Sequence, residues 1–510
     1  MARTKIIMNT PKPIHISRDL LDPTKPLAVI DIGSHSIRLI VFQNLSRIPK
    51  ILVSKKVFCE LGKDLQKTGQ LNAEKLEEAF YTLKHYIKIA KSIPVQHIRL
   101  LATAAIRDAQ NGMVFVTEME RKLNISIKIL TGEEEARNSS LGVSAGILTT
   151  SGIMGDLGGG SLELMNLQVD SPDNITLPLG PLRLTNISEA ASYEACKSFI
   201  EQQLKQVTWI NNKIFGQTFY AVGGSWRVIA KLHMQITKYP LEIVHQYKVN
   251  SKEVMEFCEN LIQNQEMIVA KYPVLEHRIK GLPFATMVLQ GIIRNLKPAE
   301  IEFSASGLRE GYFYSLLPQE EIQKDPLLFF AGTINDISRY QQGQAVYKWC
   351  KFFFNDLPKN FQRLLQAACY LSDWGWNDHQ GYPEENRFNR ILYMPTIGLT
   401  HIERIALAYI DRYRYVEHAQ CSKKEKKLFN LLPKDLRKFC NQAGLIIDLS
   451  YKATAGIPEK LNKTELKKIG KEVILLLPEQ LPLELKFKLQ QSLNLVAKKL
   501  SLTAKIKEIN

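Results

Sequence analysis

Three short turns in this chain combine aspartate, glycine and serine in patterns suited to gripping phosphate. They are Asp31-Ile32-Gly33-Ser34-His35-Ser36, Asp156-Leu157-Gly158-Gly159-Gly160-Ser161 and Gly223-Gly224-Ser225. Glycine lets the backbone approach an anion closely, and successive N–H groups form a concave nest. Ser34, Ser36, Ser161 and Ser225 add hydroxyl donors, and Ser225 precedes a helical pattern, Trp226–Leu232, whose N-terminus favours an anion. A carboxylate beside a phosphate is repulsive unless a cation lies between them. Mg²⁺ is usually held by one or two carboxylates with waters and phosphate oxygens. Asp31 and Asp156 are therefore the metal-side candidates, with Glu163 two residues past Ser161. A lone D-x-G reads as a tight hairpin with a local Asp hydrogen bond. Two of them, each after an apolar strand and followed by serine, with a Gly-Gly-Ser in addition, point to a phosphate site.

Hydrolysis also needs a group that orients or deprotonates water. Glu133, Glu134 and Glu135 open a helix after Thr131-Gly132, where acids also complement the helix dipole. Arg107 follows the small-residue run Ala102-Thr103-Ala104-Ala105, where a strand meets a helix and a guanidinium could fork onto phosphate oxygens. The chain has no G-x-x-x-x-G-K-[ST], so it is not a P-loop NTPase. It also lacks H-E-x-x-H and G-x-S-x-G.

The elements that must position these residues are legible in part. Leu27–Asp31 and Ile37–Gln43 are apolar runs around the first turn and read as a hairpin. Residues 73–91 carry apolar positions near i, i+3, i+4, i+7 and predict an amphipathic helix. A strand at His97–Ala102, a helix bearing Phe115, Met119 and Leu123, and a half-buried strand through Ile125, Ile127 and Ile129 follow. Gly152–Asp156 and Leu162–Leu167 form a second hairpin of the same design, which predicts two related α/β lobes. Beyond Pro318 strand signals fade and lysine- and leucine-rich helical patterns take over. The expected organisation is a tail at 1–26, lobe I at 27–150, lobe II at 151–318 and a helical region at 319–510.

The 510 residues, 45% apolar and 23% charged, are ordinary for a globular protein. No stretch reaches the roughly 18 apolar residues of a membrane span, and the N-terminus has no apolar leader segment, so a cytoplasmic protein is expected. Seven cysteines, with no C-x-x-C pair, favour reduced thiols over disulfides or a zinc site. The net charge is +16, and residues 421–510 hold 19 Lys and Arg against 9 Asp and Glu. Such an excess suits a solvated helical face or a track for a polyanion. Specific nucleic-acid binding has no motif to support it.

Taken together, the segments AVIDIGSHSIRLIVF (28–42), LLATAAIRDAQNG (100–112), ILTGEEEARNSSLGV (129–143), GDLGGGSLEL (155–164), LPLGPLRLT (177–185), AVGGSWR (221–227) and FSASGLREGYFYSLL (303–317) resemble the exopolyphosphatase/guanosine pentaphosphate phosphohydrolase (Ppx/GppA) family. The resemblance implies an α/β fold of two actin-like, ribonuclease H-like lobes followed by an α-helical HD-like region. It implies Mg²⁺-dependent, stepwise hydrolysis of the terminal phosphate of inorganic polyphosphate by direct water attack. Guanosine pentaphosphate is the alternative substrate, and an alarmone-binding regulator with little turnover is the alternative of another class. In this reading Glu134 positions the water, Asp156 binds the metal or assists the water, and Asp31 and Glu163 serve the metal. Gly33, Ser34, Gly158, Gly159, Gly160 and Ser161 cradle phosphates, joined by His35, Ser36, Gly223, Gly224 and Ser225, and Arg107 clamps them. A homodimer is expected. Two departures stand out. His35 replaces the usual asparagine, and Ser372 of Ala367-Ala368-Cys369-Tyr370-Leu371-Ser372-Asp373 replaces the histidine of an HD metal pair. No HD metal centre is expected, with His379, His401 and His418 scattered nearby. The helical region is expected to support dimerisation and hold polyanions through its lysines.

Overall fold

A computed structural model describes residues 21–63, 65–148, 150–167, 173–190, 192–209, 216–272, 280–374, 384–415, 422–478 and 482–508. Residues 1–20 of the expected tail lie outside the described residues, as do His379, His418 and Cys421. The chain divides into two compact units, at 323/324.

The first unit opens with β1 (Leu27–Ile32), β2 (Ser36–Phe42) and β3 (Ile51–Phe58), then α1 (Leu65–Thr68) and α2 (Ala73–Ser92). It continues through β4 (His97–Ala102), α3 (Ala104–Asp108), α4 (Gly112–Leu123), β5 (Ile127–Ile129) and α5 (Gly132–Gly146). The apolar spacing of α2 buries Ala79, Leu83, Tyr86, Ile87 and Ala90, and Asn72 caps its N-terminus. These strands form one sheet in the order β3-β2-β1-β4-β5.

The chain then repeats the scheme. β6 (Gly152–Leu157), β7 (Leu162–Asn166) and β8 (Asn174–Leu177) precede α6 (Pro181–Ala190) and α7 (Tyr193–Leu204). β9 (Thr218–Gly223), α8 (Gly224–Ile236), β10 (Tyr247–Asn250), α9 (Ser251–Gln263), α10 (Gln265–Lys271) and α11 (Leu282–Leu296) follow. β11 (Glu300–Phe303), α12 (Leu308–Ser315) and α13 (Gln319–Gln323) complete the unit. The second sheet runs β8-β7-β6-β9-β11-β10. In each sheet an antiparallel hairpin is extended by a parallel strand beside its first member: β4 beside β1, and β9 beside β6.

Helix α5, expected within lobe I, packs on β6, β7 and β8 of the second sheet. Ala136, Val143 and Ile147 share a core there with Met154, Met165, Tyr220 and Val222. Its main partner is α12. The two backbones meet so closely that a Cβ on Gly311 would stand 1.6 Å from the Asn138 carbonyl oxygen. Only glycine permits that contact.

The second unit contains α14 (Pro326–Thr333), α15 (Ile337–Cys350), α16 (Lys359–Leu371), α17 (Glu384–Leu392), α18 (His401–Tyr415), α19 (Lys423–Leu431), α20 (Lys434–Thr454) and α21 (Pro458–Leu461). It ends with β12 (Glu465–Ile469), β13 (Glu472–Leu477), α22 (Leu483–Leu500) and β14 (Thr503–Glu508). The three strands form a sheet, β12-β13-β14. This corrects the expectation that strands fade beyond Pro318. Lysines alternate with apolar residues in Thr503–Glu508 and stand between them in Glu465–Ile469, a composition that suits exposed strands as well as basic helical faces.

Candidate functional site

The two hairpin turns are built alike. The Gly33 N–H donates to the Ser36 carbonyl at 3.1 Å, and the Gly158 N–H to the Ser161 carbonyl at 3.0 Å. Asp31 and Asp156 end their strands at matching places, and the two turns touch. A Cβ on Gly159 would stand 3.1 Å from the Ser34 Cβ. Gly223 has φ of +115° and would place a Cβ 2.4 Å from the Leu157 carbonyl oxygen, so the third turn also needs glycine there.

These turns line one cavity of about 460 Å³. Asp31, Gly33, Ser34, His35, Ser36, Asp156, Gly158, Gly159, Ser161, Glu163, Gly223, Gly224 and Ser225 all face it. Gly160 lies just behind, against the Ser34 hydroxyl. The His35 ring packs edge-on against Phe58, with centroids 5.2 Å apart.

Two expected residues fall elsewhere. Glu134 belongs to a capping box: the Thr131 hydroxyl accepts from its N–H, and its carboxylate accepts from the Thr131 N–H at 3.0 Å. It also pairs with Lys128 at 2.7 Å, and its side chain is 38% exposed. The carboxylate that lines the cavity is that of Glu135, only 7% exposed. One residue further turns the side chain about 100° around the helix, away from the cap and into the cleft. Arg107 does not line this cavity. Its Nη1 donates to the Leu130 carbonyl at 2.8 Å and to the Glu135 carboxylate. It faces a neighbouring cavity of about 280 Å³ with Arg183 and Ser161.

The cleft carboxylates are set for proton chemistry. Burial, reinforced by Glu163, holds the Glu135 carboxyl well above the usual range, and Arg107 opposes the shift. Burial, with Asp156 adding to it, pushes Glu163 up to about 8, although Ser161 Oγ donates to Glu163 Oε1 at 2.6 Å. Asp31 and Asp156 are also raised by burial, countered by Arg38 at Asp31 and by the Ser139 hydroxyl, which donates to Asp156. Buried ionisable groups displaced in this way concentrate at functional sites.

Sequence reasoning missed Arg38, Arg227, Arg309 and Glu310, which also line the cavity. Each sits inside a quoted family-like segment, and Arg38 is the lone charge in the apolar strand SIRLIVF. Burial brings Arg227 down to about 10, and the charges of Arg38 and Arg309 add to the shift.

Among the described residues no three His, Cys, Asp or Glu side chains gather as a preformed metal cage. Asp31 and Asp156, facing a cavity rich in anion donors, fit the sparser ligand set of Mg²⁺, which completes its shell with water and phosphate oxygens. In the second unit Asp373 accepts from Arg414 at 2.9 Å, Arg339 at 3.1 Å and Tyr451 at 2.9 Å. Guanidinium groups thus occupy the carboxylate expected beside an HD-type position. Ser372 Oγ lies 2.7 Å from Tyr451 Oη. His401 is buried. No helix among the described residues is long and apolar enough to cross a membrane.

The profile of the Ppx/GppA phosphatase family matches residues 40–320, and that of the exopolyphosphatase C-terminal region matches residues 355–503. Retrograde regulation protein 2 of Saccharomyces cerevisiae is 25% identical over 73% of this chain and 68% of its own. A guanosine-5'-triphosphate,3'-diphosphate pyrophosphatase of Pseudoalteromonas atlantica is 22% identical over 75% of this chain and 78% of its own. The crystal structure of an exopolyphosphatase from Cytophaga hutchinsonii superposes with a TM-score of 0.51 at 20% identity, covering 57% of this chain and 97% of that one. The shared fold is the actin-like one, two α/β lobes around a cleft.

Proposed function

Because the chain belongs to the Ppx/GppA phosphatase family, we propose that it hydrolyses the terminal phosphoric anhydride of inorganic polyphosphate in this cleft. The observation that carries the reading is the meeting of two phosphate-suited glycine turns with a buried carboxylate, Glu135, in one cavity. Glu135, not Glu134, is the general base of this reading. Its burial raises its proton affinity above that of an ordinary carboxylate, the direction that strengthens a general base. The turn N–H groups and Ser34, Ser161 and Ser225 hold the terminal phosphates for in-line attack, and the charge of Glu163 disfavours the ionised form of Glu135. Catalysis then comes from positioning and charge neutralisation. Mg²⁺, when held by Asp31 and Asp156, supplies positive charge between those carboxylates and the phosphate oxygens.

A second reading is guanosine pentaphosphate hydrolysis. The bacterial relative favours it, and so does the Phe58–His35 aromatic pair lining the cavity, against which a base could stack. The yeast relative's name favours a third reading, a regulator. Phosphate release from long-chain polyphosphate and from guanosine pentaphosphate, with and without Mg²⁺, separates the three. Mg²⁺-dependent release from polyphosphate that falls at least about a hundredfold in Glu135→Gln supports the proposal. Release from the nucleotide alone supports the second reading, and tight binding without release supports the third.

A further inference from the structure

The second unit holds a cavity that the cleft chemistry leaves unused. Its volume is about 410 Å³, within the range of pockets that take ligands. It lies between α15, the short 3-10 helix Lys351–Phe354 and β12. Glu465, Leu466, Lys467, Lys468 and Ile469 line it without a gap. Successive side chains of a strand point to opposite faces, so a cavity against one face would meet every second residue. A cavity that meets all of them in turn runs along the edge of the strand. Among the described residues no strand covers that edge, because β12 pairs with β13 alone. An outer strand turns every second N–H and C=O outwards, ready to bond an extended chain.

Apolar and basic groups surround this edge. Phe352 is 58% exposed and Ile469 57% exposed, and both line the cavity. Trp349 lines it too, its Nε1 donating to Thr464 Oγ1 at 3.1 Å, which fixes the ring beside the start of β12. Lys348 and Lys468 add positive charge. Glu465, the one acid in the lining, is taken by Lys467 at 2.8 Å, whereas Lys348 and Lys468 make no ion pair among the described residues. Lysines alone would be a device that keeps an edge from pairing with its like. They do not account for exposed apolar side chains beside a cavity. A bare polyanion would gain from the lysines and nothing from Phe352 and Ile469. A second copy of β12 paired antiparallel about its centre would set Lys467 against Lys467, and like charges directly opposite each other repel.

We propose that β12 is a docking edge for an acidic, extended peptide segment of another protein. The segment adds a strand to the β12–β14 sheet, seats an apolar side chain against Trp349, Phe352 and Ile469, and sets its carboxylates against Lys348 and Lys468. Main-chain bonds along the edge supply affinity, and the cavity selects the apolar side chain. The site is formed within the second unit and stands whether or not the cleft hydrolyses phosphate.

A random peptide library displayed on phage and panned against the full chain is the probe. Enriched sequences are expected to carry Asp or Glu on both sides of an aromatic or aliphatic residue. An enriched peptide is then made with a fluorescent label, and its affinity is read by polarisation. Phe352→Ser and Ile469→Ser, both at exposed positions and checked by melting temperature, are each expected to weaken it about tenfold or more, the scale of one buried apolar side chain. Lys468→Glu should weaken it and flatten its salt dependence. In an added strand only alternate amides bond the edge, so N-methylating one alternate set of peptide amides should abolish binding while methylating the other leaves it within about threefold. That comparison needs no protein variant. Enrichment of no such sequence overturns the proposal, and so do equal effects from the two methylated sets. Affinity unchanged in Phe352→Ser and Ile469→Ser overturns it as well, because the lysines would then be a polyanion track only. Sedimentation of the unliganded chain closes the test: a dimer that Ile469→Ser splits would assign the edge to a second copy of this chain and overturn the proposal.

Discussion

Arg107 and Glu135 form an ion pair in which one guanidinium nitrogen also donates to the Leu130 carbonyl at 2.8 Å. The residue expected to clamp phosphate therefore holds the carboxylate that faces the cleft. Arg107 favours the charged form of Glu135, while burial and Glu163 disfavour it. A base works only when deprotonated, so kcat/KM should rise with pH along an acid limb above the ordinary carboxylate range. Arg107→Gln removes the cation and should move that limb to higher pH. A limb that stays in place in Arg107→Gln would show that Glu135 is not the group titrating.

The neighbouring acids should separate cleanly. Glu135→Gln is expected to lose at least about a hundredfold in kcat, the scale of general-base catalysis. Glu134→Gln keeps a hydrogen-bonding side chain at the cap and should stay within a few-fold of wild type. Thr131→Ala, which removes the cap itself, should cost about 1 kcal/mol of stability, read by urea denaturation. Equal activity losses at positions 134 and 135 would reject this division of labour.

Much of this site was legible before any geometry. The repeated hairpins, the α2 periodicity and the small-residue turn before Arg107 all came from local patterns, because turn chemistry and apolar spacing act over a few residues. Three consecutive glutamates carry no such information. Which of them faces the cleft depends on the capping box that claims Glu134. Arg38, Arg227 and Arg309 stood inside recognised segments, but their convergence is set by sheet order and by the packing of α12, which join residues hundreds of positions apart. The β12–β14 sheet was hidden for another reason. Its two outer strands are largely exposed and lysine-rich, so their composition reads equally as a basic helical face.

Gly223 should tolerate no side chain. Its φ of +115° disfavours any L-residue, and a Cβ would meet the Leu157 carbonyl oxygen at 2.4 Å. Gly223→Ala is expected to destabilise the first unit by on the order of 1–3 kcal/mol from backbone strain, with the clash in addition. Thermal melting checks it, and an unchanged melting temperature would refute the strained turn.

Acid should weaken the first unit through His233. This ring is buried, with its Nδ1 2.7 Å from Tyr247 Oη, and burial holds its pKa below the ordinary histidine value of about 6.5. The unfolded chain takes up a proton near pH 6.5 while the folded one resists. The stability tied to neutral His233 is therefore complete above that pH, and it is lost as pH falls towards the depressed folded value. The raised carboxylates act in the opposite sense, so the readout is the difference between wild type and His233→Gln. That difference should shrink as pH falls below 6.5, and a difference independent of pH would exclude the histidine.

In the second unit, the Asp373 network should be intolerant of losing one member. Arg414 is almost fully buried and donates to Asp373 at 2.9 Å, and its guanidinium also lies over the Tyr451 ring at 3.9 Å. Removing the cation leaves a buried carboxylate with weaker compensation from Arg339 and Tyr451. Breaking one side of such a pair typically costs about 3–5 kcal/mol, whereas replacing both sides by well-packed apolar residues is often neutral. Arg414→Met should therefore destabilise strongly, and Arg414→Met combined with Asp373→Leu should recover much of the loss, both read by chemical denaturation of the full chain. A double variant as unstable as the single one would mean that Asp373 is needed for more than balancing Arg414, which would direct attention to its bonds with Arg339 and Tyr451.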